Sequence, residues 1–413
     1  MTDTFAGITG ETAPSIPDYP MPRQAGCPFQ PPAPVRQLTA AEPIAKVRIW
    51  DGSTPWIITR HADQRALLND PRVSIDEKLP GFPHMTRGRA DAATTTPPMV
   101  ANTDAPAHTR LRRMVNGRFM VRRVEALRPG IQKITDELID AMLAGPKPAD
   151  LVTALGLPVP TLVISELLGA PYADHEFIQR NSNVAVSHSA TVEQSREAGA
   201  ALSGYLGGLI EQKMTRPADD MLSELAARIK AGEMTPAEAV VMAIAVLIAG
   251  HETSASMISL GTLALLQNPD QLAVLRDTDD PTVVAAAVEE LLRYLSIVHT
   301  GVRRIAVEDI EIGDQILRAG DGLIFDLSAA NWDAGTFPGP EQLDLSRAAR
   351  QHQAFGYGPH QCLGQSLARV ELQVVYGTLY RRVPTLRLAT SIDEIEFAFE
   401  GIAYRLRSLP VTW

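Results

Sequence analysis

The chain has 413 residues, 45% of them apolar, enough for a sizeable core and ordinary for a soluble globular protein. With 38 basic against 48 acidic residues the formal charge is −10 and no basic block stands out, which argues against a nucleic-acid partner. The two cysteines, Cys27 and Cys362, stand in unrelated contexts, so no disulfide framework is expected; residues 1–10 lack the pattern of a signal peptide, and the longest apolar run, residues 239–250, is short of the ~20 needed to span a bilayer, so a cytoplasmic chain without a membrane segment is expected.

Eight prolines fall between residues 11 and 34, so residues 1–34 are read as a Pro-rich segment, extended or partly disordered and wrapped on the surface. Residues 46–50 and 56–59 are β-type runs around Asp51-Gly52-Ser53-Thr54, a hairpin signal. Residues 61–69 form a short helix stopped by Pro71. Periodicity fails from 72 to 100, and a loop of that length is functional or disordered. Residues 109–143 and 160–228 are mainly helical, with breaks near 145–150, Pro171 and Pro217. Thr235-Pro236-Ala237-Glu238 is a strong helix start: a threonine cap, proline at the first position and glutamate three residues after the cap. That helix should run to about Gln267, where Pro269 stops it, a length of ~48 Å; its all-round apolar surface places it in the middle of the fold. Residues 281–295 read as an amphipathic helix, followed by β-type runs at 302–312 and 322–326. No internal repeat is found.

The chemistry begins at Phe355-Gly356-Tyr357-Gly358-Pro359-His360-Gln361-Cys362-Leu363-Gly364. Gly356 and Gly358 permit positive-φ backbone and close approach of something flat. Cys362 precedes a helical stretch, 365–380, so the N–H groups and dipole of that helix start favour a thiolate, suited to an iron. Two other readings compete: an isolated cysteine is more often a small buried apolar residue, and a nucleophilic cysteine could recruit any of nine histidines, although no local hydrolase signature supports it. The segment resembles the haem-binding loop of the cytochrome P450 family, Phe-Gly-x-Gly-x-His/Arg-x-Cys-x-Gly, matched at every fixed position. The resemblance implies Cys362 as thiolate ligand of haem b, with Phe355, Gly356 and Gly364 beside the cofactor.

Ala249-Gly250-His251-Glu252-Thr253, inside the long apolar helix, resembles the oxygen-activation motif of the same family, with Glu252 and Thr253 as acid and alcohol. Ala249 and Ala245 lie four and eight residues before Thr253, on one face, and leave room for haem, dioxygen and substrate. A substrate pocket is expected at Ala245, Ile248, Ala249, Ile297 and Val298. The plainer alternative is a threonine bonded back to a helix carbonyl and a glutamate reaching solvent. A zinc-protease reading of His251-Glu252 fails because position 255 is alanine.

Glu290 and Arg293 are three apart on one helix face, by themselves a surface pair of small worth. The resemblance implies a buried structural pair instead, whose third member is open because Trp332 stands where relatives often carry arginine. It also implies haem-carboxylate partners at His108 and Arg112, in a stretch where Ala105 departs from the usual proline, and at Arg304 and His352. Arg110, Arg113, Arg122 and Arg123 are read as helix surface, some facing an acidic redox partner.

Taken over residues 35–413, the resemblance implies a mainly α, triangular fold with small β-sheets around a central long helix and a buried haem. Within the family the chain looks most like soluble actinobacterial Class I members. Such an enzyme takes electrons from ferredoxin and ferredoxin reductase and inserts one oxygen atom from O2 into a small, mostly apolar molecule of secondary metabolism or a xenobiotic. No membrane is involved, and a monomer is expected. The same scaffold could run oxidative coupling or nitric-oxide reduction, or bind haem without catalysis.

Overall fold

A computed structural model of the protein describes residues 16–23, 28–186, 190–399 and 403–413; Cys27 lies outside them. The central helix runs Pro236–Leu266, as its capping signal predicts. Thr235 Oγ1 accepts from the Glu238 N–H at 3.2 Å, and a Glu238 carboxylate oxygen accepts from the Thr235 N–H at 2.8 Å. Residues 254–265 are buried at every position. By length and composition this helix could cross a membrane, but it packs inside the fold, against Pro158–Leu168, Val192–Thr215 and Gln365–Arg382. Where it meets Gln365–Arg382, a Cβ on Gly261 would lie 1.9 Å from the Tyr376 hydroxyl, which donates to the Met257 carbonyl at 2.5 Å. That close approach requires glycine.

The helix Pro281–Leu295 has the predicted bounds and starts where Asp280 accepts from the Thr282 N–H at 2.8 Å. The main sheet has five strands in the order Ile44–Lys46, Trp56–Ile58, Gly322–Phe325, Val302–Ala306, Val73–Ser74. The first two form a hairpin around the expected turn, although the first strand lies before the expected run 46–50 and shares only Lys46 with it; Ile44 is opposite Ile58, and the third strand runs parallel to the second. The architecture is therefore mainly α with small sheets, as expected.

Two expectations change. Residues 72–100 are not one irregular loop: they contain the strand Val73–Ser74 and a helix, Arg87–Ala93, capped by the Thr86 hydroxyl. The described part of the Pro-rich segment is anchored to the body. Asp18 bridges to Arg48, and buried Arg23 donates to the carbonyls of Phe29 at 2.9 Å and Ser296 at 3.1 Å. A helix, Ala33–Ala41, begins within the segment's last two residues.

Candidate active site

The loop before Gln365–Arg382 is closed by a hydrogen bond from the Cys362 N–H to the Phe355 carbonyl, 2.9 Å. Gly356 and Gly358 both have positive φ, 68° and 76°. A Cβ on Gly358 would fall 2.4 Å from the Leu68 carbonyl, so this glycine lets the loop lie against the end of the helix His61–Leu68. A Cβ on Gly356 or Gly364 would meet no protein atom within 4 Å. That side of the loop is open.

Cys362 has an exposed side chain, yet the surrounding protein is dense enough that burial pushes its thiol up. Both hold for a group in the wall of a concave cleft. The Gly364 and Gln365 amides and the guanidiniums of Arg112 and Arg369 pull the other way, but burial prevails. The helix-start amides favour the thiolate as expected from the sequence, but in the free protein they do not outweigh burial.

The central helix opens to the cleft as well. Ala249 is exposed and Ala245, Ile248 and Thr253 are half-buried, whereas the rest of the helix beyond Thr253 is closed in. Thr253 Oγ1 donates to the Ala249 carbonyl at 2.7 Å, the back-bond of the plainer reading. Glu252 does not run free to solvent: its carboxylate lies 3.7 Å from Arg405 Nε, with the side chain 16% exposed. Burial pushes its carboxyl up, and Arg405 draws it part of the way back. His251 is turned away, its Nδ1 2.7 Å from the Thr161 hydroxyl, and burial lowers it to about 4, which keeps it neutral. Of the remaining expected pocket residues, Val298 is half-buried and pairs with Ala403, but Ile297 belongs to the core, its carbonyl accepting from the Tyr404 N–H at 2.7 Å.

A third group of residues gathers beside the cysteine loop. The His108 and His360 rings are 4.0 Å apart, and His108 Nε2 and His360 Nδ1 are buried without a hydrogen-bond partner. Among the described residues Arg304, 6% exposed, donates to the Arg303 carbonyl alone, and burial lowers its guanidinium to about 10. Arg112 binds the loop itself, donating to the carbonyls of Pro359 at 3.0 Å and Gln361 at 2.7 Å. His352 does not join this group. Its Nε2 lies 3.1 Å from Glu289 and its Nδ1 accepts from the Ala354 N–H at 3.1 Å, so both nitrogens are engaged. Burial draws the Glu289 carboxyl up, yet His352 and Arg369 outweigh it and hold the group at about 2. The histidine that faces the cluster is His360, which the loop pattern itself carries two residues before the cysteine.

Glu290 and Arg293 are fully buried and joined by two hydrogen bonds of 2.7 Å. Arg293 also donates to the carbonyls of Asn331 and Pro340, each at 3.0 Å. The open third place is filled by Arg347, whose Nε lies 3.2 Å from Glu290. Trp332 instead donates to the Tyr294 carbonyl at 3.0 Å and stacks on that ring.

The cytochrome P450 family model matches residues 48–383. The chain belongs to the cytochrome P450 family. It is 56% identical to cytochrome P450 CYP105Q4 of Mycobacterium marinum over the whole of both chains. It is 55% identical to cytochrome P450 GfsF of Streptomyces halstedii, again over both whole chains, and the crystal structure of GfsF superposes with a TM-score of 0.92, covering 96% of this chain and all of that one. The mycinamicin VIII C21 methyl hydroxylase MycCI of Micromonospora griseorubida, solved with mycinamicin VIII bound, is 42% identical with a TM-score of 0.89, over 96% of this P450 and 100% of that chain. This P450 is a haem-thiolate monooxygenase of the bacterial CYP105 type.

Proposed function

We propose that this P450 binds haem b through Cys362, with His108, Arg112, Arg304 and His360 receiving the cofactor carboxylates. The observation that carries this reading is the pair of buried ring nitrogens, His108 Nε2 and His360 Nδ1, that lack a hydrogen-bond partner beside the buried Arg304 guanidinium, a cluster whose nearby acidic group, Asp104, stands 3.9 Å from His360 Nε2. When bound, the haem supplies dioxygen activation and oxygen transfer. The chain's own residues orient and protonate. Phe355 is held by the Arg369 guanidinium 4.6 Å above its ring, and Arg369 is fixed in turn by Glu289, so this wall of the cleft is rigid. The Thr253 hydroxyl donates to Ala249, which leaves its lone pairs to accept a hydrogen bond from the cleft. Glu252, one residue earlier and partly exposed, is placed to pass protons inward from solvent.

The substrate is read as a bulky apolar natural product or xenobiotic, since Ala245, Ile248, Ala249 and Val298 offer an apolar wall and a relative is solved with mycinamicin VIII bound. Ferredoxin and its reductase are the proposed electron donors. Exposed Met120 and Val121, 64% and 65% accessible, sit next to Arg122 and Arg123, a surface suited to an acidic carrier. We read residues 35–413 as a single haem domain, monomeric and cytoplasmic. Titration of the apoprotein with haemin tests the cofactor site. Saturation at one haem per chain and a thiolate-type Soret band for the ferrous carbonyl complex, abolished in Cys362→Ala, are expected; a histidine-type band from the wild type would refute the assignment.

A further inference from the structure

Arg405 lies on the strand Arg405–Leu406, at the far end of the sequence from the central helix, and its guanidinium is the partner the structure gives to Glu252. The contact is a through-space attraction: the 3.7 Å separation exceeds a hydrogen bond, and the Arg405 Nε–H has no hydrogen-bond partner. The two side chains are 38% and 16% exposed, so the arginine reaches in from the solvent side while the carboxylate lies mostly inside. We propose that Arg405 is a positioning residue for oxygen activation, holding the Glu252 carboxylate in place by charge attraction and turned toward solvent between proton transfers. This rests on the reading of Glu252 as the acid of that reaction.

Three further observations support it. Among the described residues Arg405 is the one charged group that acts appreciably on Glu252; the neighbouring His251 is neutral and faces Thr161 on Pro158–Leu168. Burial pushes the Glu252 carboxyl up and the Arg405 guanidinium opposes that shift, so loss of the cation makes the proton harder to release. The strand that carries Arg405 is also fixed to the cleft wall. It pairs with Phe397–Ala398, Tyr404 donates to the Ile297 carbonyl, and Ala403 bridges to Val298. The guanidinium is therefore mounted on the same wall that the substrate touches, and a shift of that wall moves the charge relative to Glu252.

The test is an infrared difference titration of the Glu252 carboxyl in the holoenzyme, assigned against Glu252→Gln. Arg405→Gln should raise the midpoint by about one pH unit, the low end for loss of a cation at this distance because the pair is partly solvated. The pH limb of kcat lost in Glu252→Gln should move by the same amount, with substrate KM and melting unchanged. Arg405→Lys should restore both. An unchanged midpoint in Arg405→Gln overturns the proposal; so does a kcat that falls equally in the Gln and Lys variants. If Glu252→Gln itself leaves turnover intact, the reading of Glu252 as the acid fails instead, whatever Arg405 does.

Discussion

Thr253 donates its only hydroxyl hydrogen to the Ala249 carbonyl, so in the resting protein it can act toward the cleft only as an acceptor. Its removal should therefore spare the steps before oxygen chemistry. Thr253→Ala is expected to keep haem loading, substrate affinity and electron uptake, while product per NADH falls and hydrogen peroxide rises in a ferredoxin-reconstituted assay. Glu252→Gln should slow turnover itself, on the order of 10²-fold, with an altered solvent isotope effect. The two histidines flanking the cysteine loop separate in the same way. His360→Ala, which removes half of the unpartnered pair, should weaken haem retention with little change in apoprotein melting; His352→Ala should lower melting, because it takes a hydrogen bond from buried Glu289. Haem-transfer kinetics and calorimetry of both variants check this. Cys362, Glu252, Thr253 and the Glu290–Arg293 pair were legible because each sits in a local pattern of residue types. Arg405 and Arg347 were not, since each comes from a segment more than fifty residues from the carboxylate it meets and no local spacing marks it.

At the scale of the elements, the contact between Pro236–Leu266 and Gln365–Arg382 depends on Gly261 leaving room for Tyr376. Gly261→Ala is expected to destabilise the protein by about 1–3 kcal/mol through overpacking, despite the better helix propensity of alanine. Adding Tyr376→Phe removes the clashing oxygen, so denaturation of the double variant should show less than the sum of the single losses. Helix limits were read well where capping chemistry is local, as at Thr235 and Glu238 or at the prolines that open Pro281–Leu295. The helix Arg87–Ala93 escaped notice because seven residues with a glycine and few apolar positions carry no period. The proline count of residues 11–34 was a fair guide to extended backbone but not to anchoring, to which the buried Arg23 contributes by meeting carbonyls from a helix end some 270 residues away.

Across the whole molecule, buried charge sets both stability and its pH dependence. Arg293→Ala would leave Glu290, at zero exposure, without its two-hydrogen-bond partner and with Arg347 alone as cation, at a cost of about 3–5 kcal/mol, and should give haem-free or insoluble protein. Glu371, 2% exposed, is pushed by burial up to about 8 from an ordinary 4.5, with Ser254 drawing it slightly back. The folded protein therefore keeps a proton that the unfolded chain releases. This contribution is full below the unfolded value and is lost as pH rises toward about 8. Glu371→Gln removes that loss, so its melting temperature should gain on the wild type as pH is raised across this interval. Glu289 runs the opposite way: held down at about 2, it stabilises above its ordinary 4.5 and gives that up as pH falls toward 2. The packing of the central helix has a further consequence in time. Its C-terminal half is complete at residue 266, but the helix that covers it ends at residue 382, which at ribosomal rates of ~5–20 residues per second emerges roughly 6–23 s later. For that interval this long apolar helix of the nascent chain has no permanent neighbour on that side, so yield in the cell should depend on holdase chaperones and improve when translation of residues 267–382 is fast.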